Sequence, residues 1–274
     1  MGSYEERLRE HLAAYKVERL EVQTEGIWRR NRRRYPHILP ESKRRSNILG
    51  TIRDEFWDWF EKGGEKVTLH RDFHHLTSSQ AMCFNLFFSF KHPQLALDPV
   101  LRALGQPAQP VQECRFEHIL DDEEGTNLDF FILLRSGVRL LFELKLAERE
   151  FGRAQNDEPH RRKLKKIYGP RLPGRVSPSF LEQDVFFRNY QLMRNLSCLR
   201  EQPEDRLYLV LPRANESLTG GIELLFQNLT PCWAQRVEVV YLEDLVPALL
   251  GQGDLAPRCR EALQEFARKY LPAS

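Results

Sequence analysis

The sequence predicts an α/β protein built on a mixed sheet, with helices preceding it in the chain. Three observations carry that expectation. Two apolar runs, 127–134 and 138–146, flank a turn at Arg135-Ser136-Gly137 and read as a β-hairpin. Beyond residue 178, helix-like and strand-like patterns alternate, which favours parallel pairing of the later strands. Ahead of the hairpin, Ala81-Met-Cys-Phe-Asn-Leu-Phe-Phe88 is apolar almost all round, as a buried helix requires.

The elements follow in order. Residues 4 to about 22 read as a helix, with Tyr4, Leu8, Leu12 and Tyr15 on one stripe. A basic linker, Trp28 to Pro36, comes next. A second helix is expected from about 46 to 61, with Ile48, Ile52, Phe56 and Phe60 at i+4 spacing and Gly63-Gly64 as its stop. These parts suggest an N-terminal helical appendage over 1–70 and a second unit over 71–274. Thr77-Ser-Ser-Gln80 reads as a capping box opening a third helix, which ends at His92-Pro93. Asp98-Pro99 starts a short helix ending at Gly105. Residues 111–120 read as a strand leading into the hairpin. After a polar loop, Ser179-x-x-Glu182 reads as a second capping box, opening a long helix to about Arg200. Strands over 206–211 and 236–241, and helices over 216–228 and 257–270, complete the chain.

The 274 residues are 41% apolar and 29% charged, the balance of a folded protein. Net charge is only +2, yet the basic residues are clustered, and clustering is what an anionic partner feels. No secretory signal is visible, and no apolar run approaches the roughly 18 residues of a membrane helix. Five scattered cysteines without a Cys-x-x-Cys pair point to free thiols in a reducing compartment, so a cytoplasmic protein is expected.

The hairpin carries the chemistry. If its turn centres on Ser136, Asp129 lies opposite Glu143, and Glu143 and Lys145 share one face. Burying two carboxylates and an ammonium on oily strands is costly unless they pair or hold a metal. Glu117, between apolar neighbours on the preceding strand, is the candidate third acid. Glu143 and Lys145 alone also fit an ordinary salt bridge on a solvated strand, whereas Asp129 is harder to explain because Asp is disfavoured inside strands.

This arrangement resembles the PD-(D/E)XK nuclease superfamily, the restriction-endonuclease-like proteins, on Asp129 and Glu143-Leu144-Lys145. The Pro that precedes the family's Asp is Leu128 here. The resemblance covers roughly 77–212. Leu76–Asn85, Lys145–Glu148 with Phe151-Gly152, and Tyr190-Gln-Leu-Met-Arg194 are similar to a bacterial branch of the superfamily. It implies an α-β-β-β-α-β core and a nuclease that hydrolyses phosphodiester bonds in DNA, in restriction, repair or defence. It further implies Asp129 and Glu143 as ligands of Mg²⁺ or Mn²⁺, joined by Glu117, with Lys145 orienting or deprotonating the attacking water. Gln191, in the long helix, would support the site or touch nucleic acid. Gln80 is explained by its capping box and Glu148 as surface charge. RNA as substrate stays open, as does a homodimer, since no interface can be read.

Two basic zones are candidate nucleic-acid contacts: Arg29–Arg34 with Lys43-Arg44-Arg45, and a loop carrying Arg161, Arg162, Lys163, Lys165 and Lys166. Trp28, Tyr35 and Tyr168 stand beside them as stacking residues. His70, His74 and His75 are expected to be a surface or loop cluster, because no nearby ligand completes a zinc set. Two rival readings fit the same chain: a nucleic-acid-binding protein that keeps the fold without cleavage, and an interaction subunit of a larger nucleoprotein complex.

Overall fold

The computed structural model describes residues 2–93, 95–125 and 127–271. Its elements are α1 (Tyr4–Glu18), β1 (Gly26–Trp28), β2 (Arg33–Tyr35), α2 (Arg53–Glu61), α3 (Ser79–Lys91), α4 (Asp98–Ala103), β3 (Val111–Ile119), β4 (Asn127–Leu134), β5 (Arg139–Leu144), α5 (Glu158–Lys163), α6 (Gly169–Arg171), α7 (Gln183–Arg188), α8 (Tyr190–Ser197), β6 (Arg206–Leu211), α9 (Thr219–Asn228), α10 (Pro231–Ala234), β7 (Val237–Tyr241), α11 (Leu242–Leu250) and α12 (Pro257–Tyr270). One sheet runs in the order β3-β4-β5-β6-β7, antiparallel through β5 and parallel beyond it. The protein is thus a mixed α/β fold, with α3, β3, β4, β5, α8 and β6 in the helix, three strands, helix, strand order expected.

Strand alternation divides the core in two. Phe116, Phe130, Phe142 and Tyr208 face one way, toward α3, α11 and α12. Phe131, Leu141, Leu207 and Leu209 face the other, toward α7 and α8. The packing of α3 on the hairpin includes a stacked pair, Phe87 on Phe130, with ring centroids 4.3 Å apart. Residues before 70 enter the first of these clusters: Phe56 meets Phe84 at 5.0 Å and Trp59 meets Phe116 at 6.0 Å.

One carboxylate pins the base of the sheet. Asp205 is fully buried just ahead of β6. It accepts the backbone N–H of Arg139 at 2.8 Å and two guanidinium bonds from Arg200, each 2.9 Å. Arg200 also donates to the hairpin turn at the Gly137 carbonyl, 2.6 Å.

Four expectations need correction, each because tertiary contacts outbid local pattern. The helix placed at 46–61 is α-helical only from Arg53, behind two 3₁₀ segments over 41–47 and 50–52. The buried Asn85 side chain takes the Leu49 N–H and donates to the Asn47 carbonyl, leaving Ile48 extended. At α3 the cap is Ser78, accepting from Ala81 N at 3.3 Å. Gln80 forms no capping box; its side chain turns to the His70 N–H (2.8 Å) and the Thr68 carbonyl (3.0 Å). The supposed loop with the second basic zone contains α5, a π-helical turn over 164–168 and α6, because Ile167 and Tyr168 are buried anchors. Ser179 and Glu182 make no capping box either, and the long helix is two, broken at Asn189. A passing strap replaces the helical bonds there: Gly152 O accepts Gln191 N at 3.0 Å, and Phe187 O accepts Ala154 N at 3.0 Å.

Candidate active site

A cleft of about 740 Å³ opens where β3, β4 and β5 meet α3, α8 and the N-terminal segments. Glu117, Asp129, Glu143, Lys145 and Gln191 all line it. Strand register brings the three acids side by side. Phe116 pairs with Phe130 and His118 with Leu128, so Glu117 and Asp129 are bracketed as neighbours. Phe130 pairs with Phe142, and the next step outward is Asp129 and Glu143. At that step the ladder gives way, and Asp129 Oδ2 itself accepts the Leu144 N–H at 2.6 Å.

Glu117 holds φ at 48° in the middle of β3. A non-glycine residue in that region costs about 1–3 kcal/mol and persists only where the surroundings enforce it. In β3 the strain lies at the residue set beside Asp129.

Glu143 is only 2% exposed and has three donors. Lys145 Nζ lies 2.9 Å from Oε1, Gln191 Nε2 donates to Oε1 at 2.6 Å, and Asn195 Nδ2 donates to Oε2 at 2.7 Å. The carboxylate is therefore aimed by α8 as much as by its own strand. Gln191 is aimed in turn by the strap, since its Oε1 accepts the Gly152 N–H at 2.8 Å.

The electrostatics are those of crowded acids. Burial, with Glu143 and Glu117 adding to it, pushes the Asp129 carboxyl well above the ordinary carboxylate range despite the opposing pull of Lys145. Burial also raises Glu117, against hydrogen bonds from Gln80 and Asn127. For Lys145 burial works against the charge, but Glu143, Glu148 and Asp129 together outweigh it and hold the pKa above the usual lysine value. The three carboxylates thus favour the ammonium form of Lys145.

The donor set suits a hard divalent cation. Asp129, Glu143 and Glu117 offer only carboxylate oxygens to one cleft, and the Lys145 ammonium stands 2.9 Å from Glu143 Oε1. Among the described residues no group of three His, Cys, Asp or Glu side chains stands as a ready metal cage. Mg²⁺ does not need one, since it is commonly held by one or two carboxylates and keeps several waters.

Other residues are distributed differently from expectation. Arg161, Arg162, Lys165 and Lys166 are exposed, but none lines the cleft. Arg161 bonds to Asn156, and Lys163 is drawn onto Glu124. Tyr168 is buried, its hydroxyl donating to Glu124 at 2.6 Å, so it is no stacking platform. The cations that do line the cleft, besides Lys145, are Arg9, Arg30 and Arg149, with Trp28 beside them. His74 is buried rather than at the surface, its ring bonded to the Ile27 carbonyl at 3.1 Å. Sequence reasoning passed over Asn195 and the true setting of Gln80. Asn195 was findable, since it lies one helical turn from Gln191 on the same face. Glu148 is also more than surface charge, accepting the Leu146 N–H at 2.7 Å where β5 ends.

A mixed sheet whose central hairpin presents Asp129 and Glu143-x-Lys145 beside a supporting helix is the architecture of a restriction-endonuclease-like protein. The sequence matches one family over residues 9–271, described as restriction endonuclease associating with ARP, and the chain belongs to that family. No curated protein and no solved structure matches it. Among the described residues no helix is long and apolar enough to cross a membrane.

Proposed function

We propose that the protein is a nuclease that hydrolyses phosphodiester bonds in duplex DNA with Mg²⁺ or Mn²⁺ at the hairpin. The observation that carries this reading is the group of Asp129, Glu143 and Glu117 lining one cleft, with the Lys145 ammonium 2.9 Å from Glu143. Asp129 and Glu143 would hold the ion, with Glu117 the third acid. Such an ion, when bound, activates water and neutralises the phosphate. Lys145 supplies a fixed positive charge beside the place where negative charge grows on the phosphate oxygens. Gln191 and Asn195 keep Glu143 in one orientation, so no rotamer freedom has to be lost on binding. Restriction or defence against foreign DNA suits this chemistry, and the family description leaves room for a partner, ARP.

A digestion assay tests the proposal. Plasmid DNA should be cut by the wild type with Mg²⁺ or Mn²⁺, EDTA should stop the reaction, and Asp129→Asn should lower the rate by about 10³-fold. A wild type inert with both ions on duplex DNA, single-stranded DNA and RNA would remove the hydrolase reading.

The N-terminal ribbon favours duplex DNA. β1 and β2 pair as a two-stranded hairpin whose arginines are all exposed. Arg29 pairs with Glu41 at 3.1 Å, whereas Arg30, Arg32, Arg33 and Arg34 have no ion pair among the described residues. Trp28 and Arg30 reach the cleft itself. A β-ribbon of this width enters a major groove, and unpaired arginines match its phosphates. Replacing Arg32, Arg33 and Arg34 together by Ser should flatten the dependence of log K on log salt by about 0.9 for each phosphate that is no longer neutralised. An unchanged slope in a binding titration without divalent ion would exclude the ribbon from the interface.

A further inference from the structure

We infer that a second cavity, beside the cleft, is a subsite for one unpaired nucleotide, at an end or flipped out of the duplex, of the strand whose phosphate occupies the cleft; the inference rests on the nuclease reading. This cavity has a volume of about 540 Å³, within the usual range for sites that enclose a small organic group. Its floor is apolar. Phe151 and Leu218 are buried there, Val185 is half-buried, and Leu224 is 38% exposed. Its rim carries three arginines, Arg149, Arg153 and Arg188, against one carboxylate, Glu150.

An apolar floor under three guanidinium groups suits a ligand with a flat apolar face and an attached anion. A nucleotide has both: its base stacks on apolar and aromatic surface, and its phosphate meets the arginines. A bare inorganic anion would leave the floor unused, and a purely apolar ligand would strand the charges. The arginines have capacity to spare. Among the described residues Arg188 uses only Nε, donating to the Asp184 carbonyl at 3.0 Å. Arg149 uses Nε on Glu5, 2.7 Å away, and Arg153 pairs with Glu150 at the same rim.

Continuity with the cleft identifies the occupant as part of the same strand. Arg149 lines both cavities. Phe151, which lines the second cavity, is followed by Gly152, which is bonded in both directions to Gln191, and Gln191 lines the cleft and holds Glu143. A nucleotide seated on Phe151 therefore presses on the segment that aims the candidate metal-binding carboxylate. Gly220 lines the cavity, and an added Cβ there would meet nothing within 4 Å, so a larger side chain has room at that position.

Fluorescence anisotropy with a labelled single-stranded 12-mer, in EDTA so that no cleavage intervenes, tests the subsite. Arg188→Glu should weaken binding about tenfold, and Arg188→Lys should restore most of it. Gly220→Trp should fill the cavity and weaken binding to a similar degree, while its thermal midpoint stays at or above that of the wild type because a helical glycine has been replaced. If the wild type fails to bind the 12-mer, or if Arg188→Glu and Gly220→Trp bind it as the wild type does, the subsite is overturned, whatever the digestion assay shows. If the variants lose the 12-mer but the wild type cuts nothing with Mg²⁺ or Mn²⁺, the subsite stands and the hydrolase reading falls.

Discussion

Lys145→Ala is expected to lower DNA cleavage by about 10³-fold, the usual cost of removing one preorganised group that stabilises transition-state charge. The side chain is 10% exposed and its Nζ sits 2.9 Å from Glu143 Oε1. Three carboxylates keep it charged against the effect of burial. Its contribution is a fixed positive charge, so a neutral side chain of any size should fail. Lys145→Arg should fail as well, because a planar guanidinium spreads its charge over a fork and does not reproduce the compact ammonium held 2.9 Å from Glu143 Oε1. Rates should be read beside DNA binding in EDTA, which Lys145→Ala should leave within a few-fold. Cleavage within tenfold of the wild type would remove Lys145 from the mechanism and weaken the nuclease reading with it.

Asp205→Ala is expected to destabilise the fold by about 3 kcal/mol, since it leaves a buried N–H and an arginine without their acceptor. For a chain of this size that corresponds to a fall of roughly 5 °C in thermal midpoint. The argument is geometric: the Asp205 carboxylate joins the first residue of β5, the start of β6 and Arg200 beyond α8. Asp205 does not line the cleft. Well below the transition, the variant should therefore cut DNA at close to the wild-type rate. A midpoint shift under about 3 °C in calorimetry would show that the surrounding groups find other partners.

The sheet and its order were readable because their signal is local. The runs around Arg135-Ser136-Gly137 carry their own turn, and the buried strand 206–211 is apolar from Leu207 onward. Glu143-x-Lys145 was readable for the same reason, since alternation along a strand sets which residues share a face. What escaped notice depends on partners distant in sequence. Nothing near Ile48 announces that Asn85 will occupy its neighbours' backbone groups. Nothing near Asn189 announces a strap taking the helical bonds. The charges of 160–166 concealed Ile167 and Tyr168, whose burial makes that region helical and sets it apart from the cleft. The apolar run 242–250 contains Pro247, which reads as a helix breaker, and yet α11 forms there directly after β7. The cleft's own arginines are equally non-local: Arg9 and Arg149 are far apart in sequence and meet only when α1 docks beside the end of β5.

The dependence of Glu143 on α8 has a consequence for how the protein is made. Gln191 and Asn195 lie 48 and 52 residues beyond the carboxylate they hold, and β6, which flanks β5, follows later still. A ribosome that has released the hairpin has released both acids and the lysine, but not the groups that aim them. On the nuclease reading, a nascent or prematurely ended chain is harmless to the DNA of the cell that makes it. The capacity to cut arrives only when the later half of the protein folds back onto the earlier one.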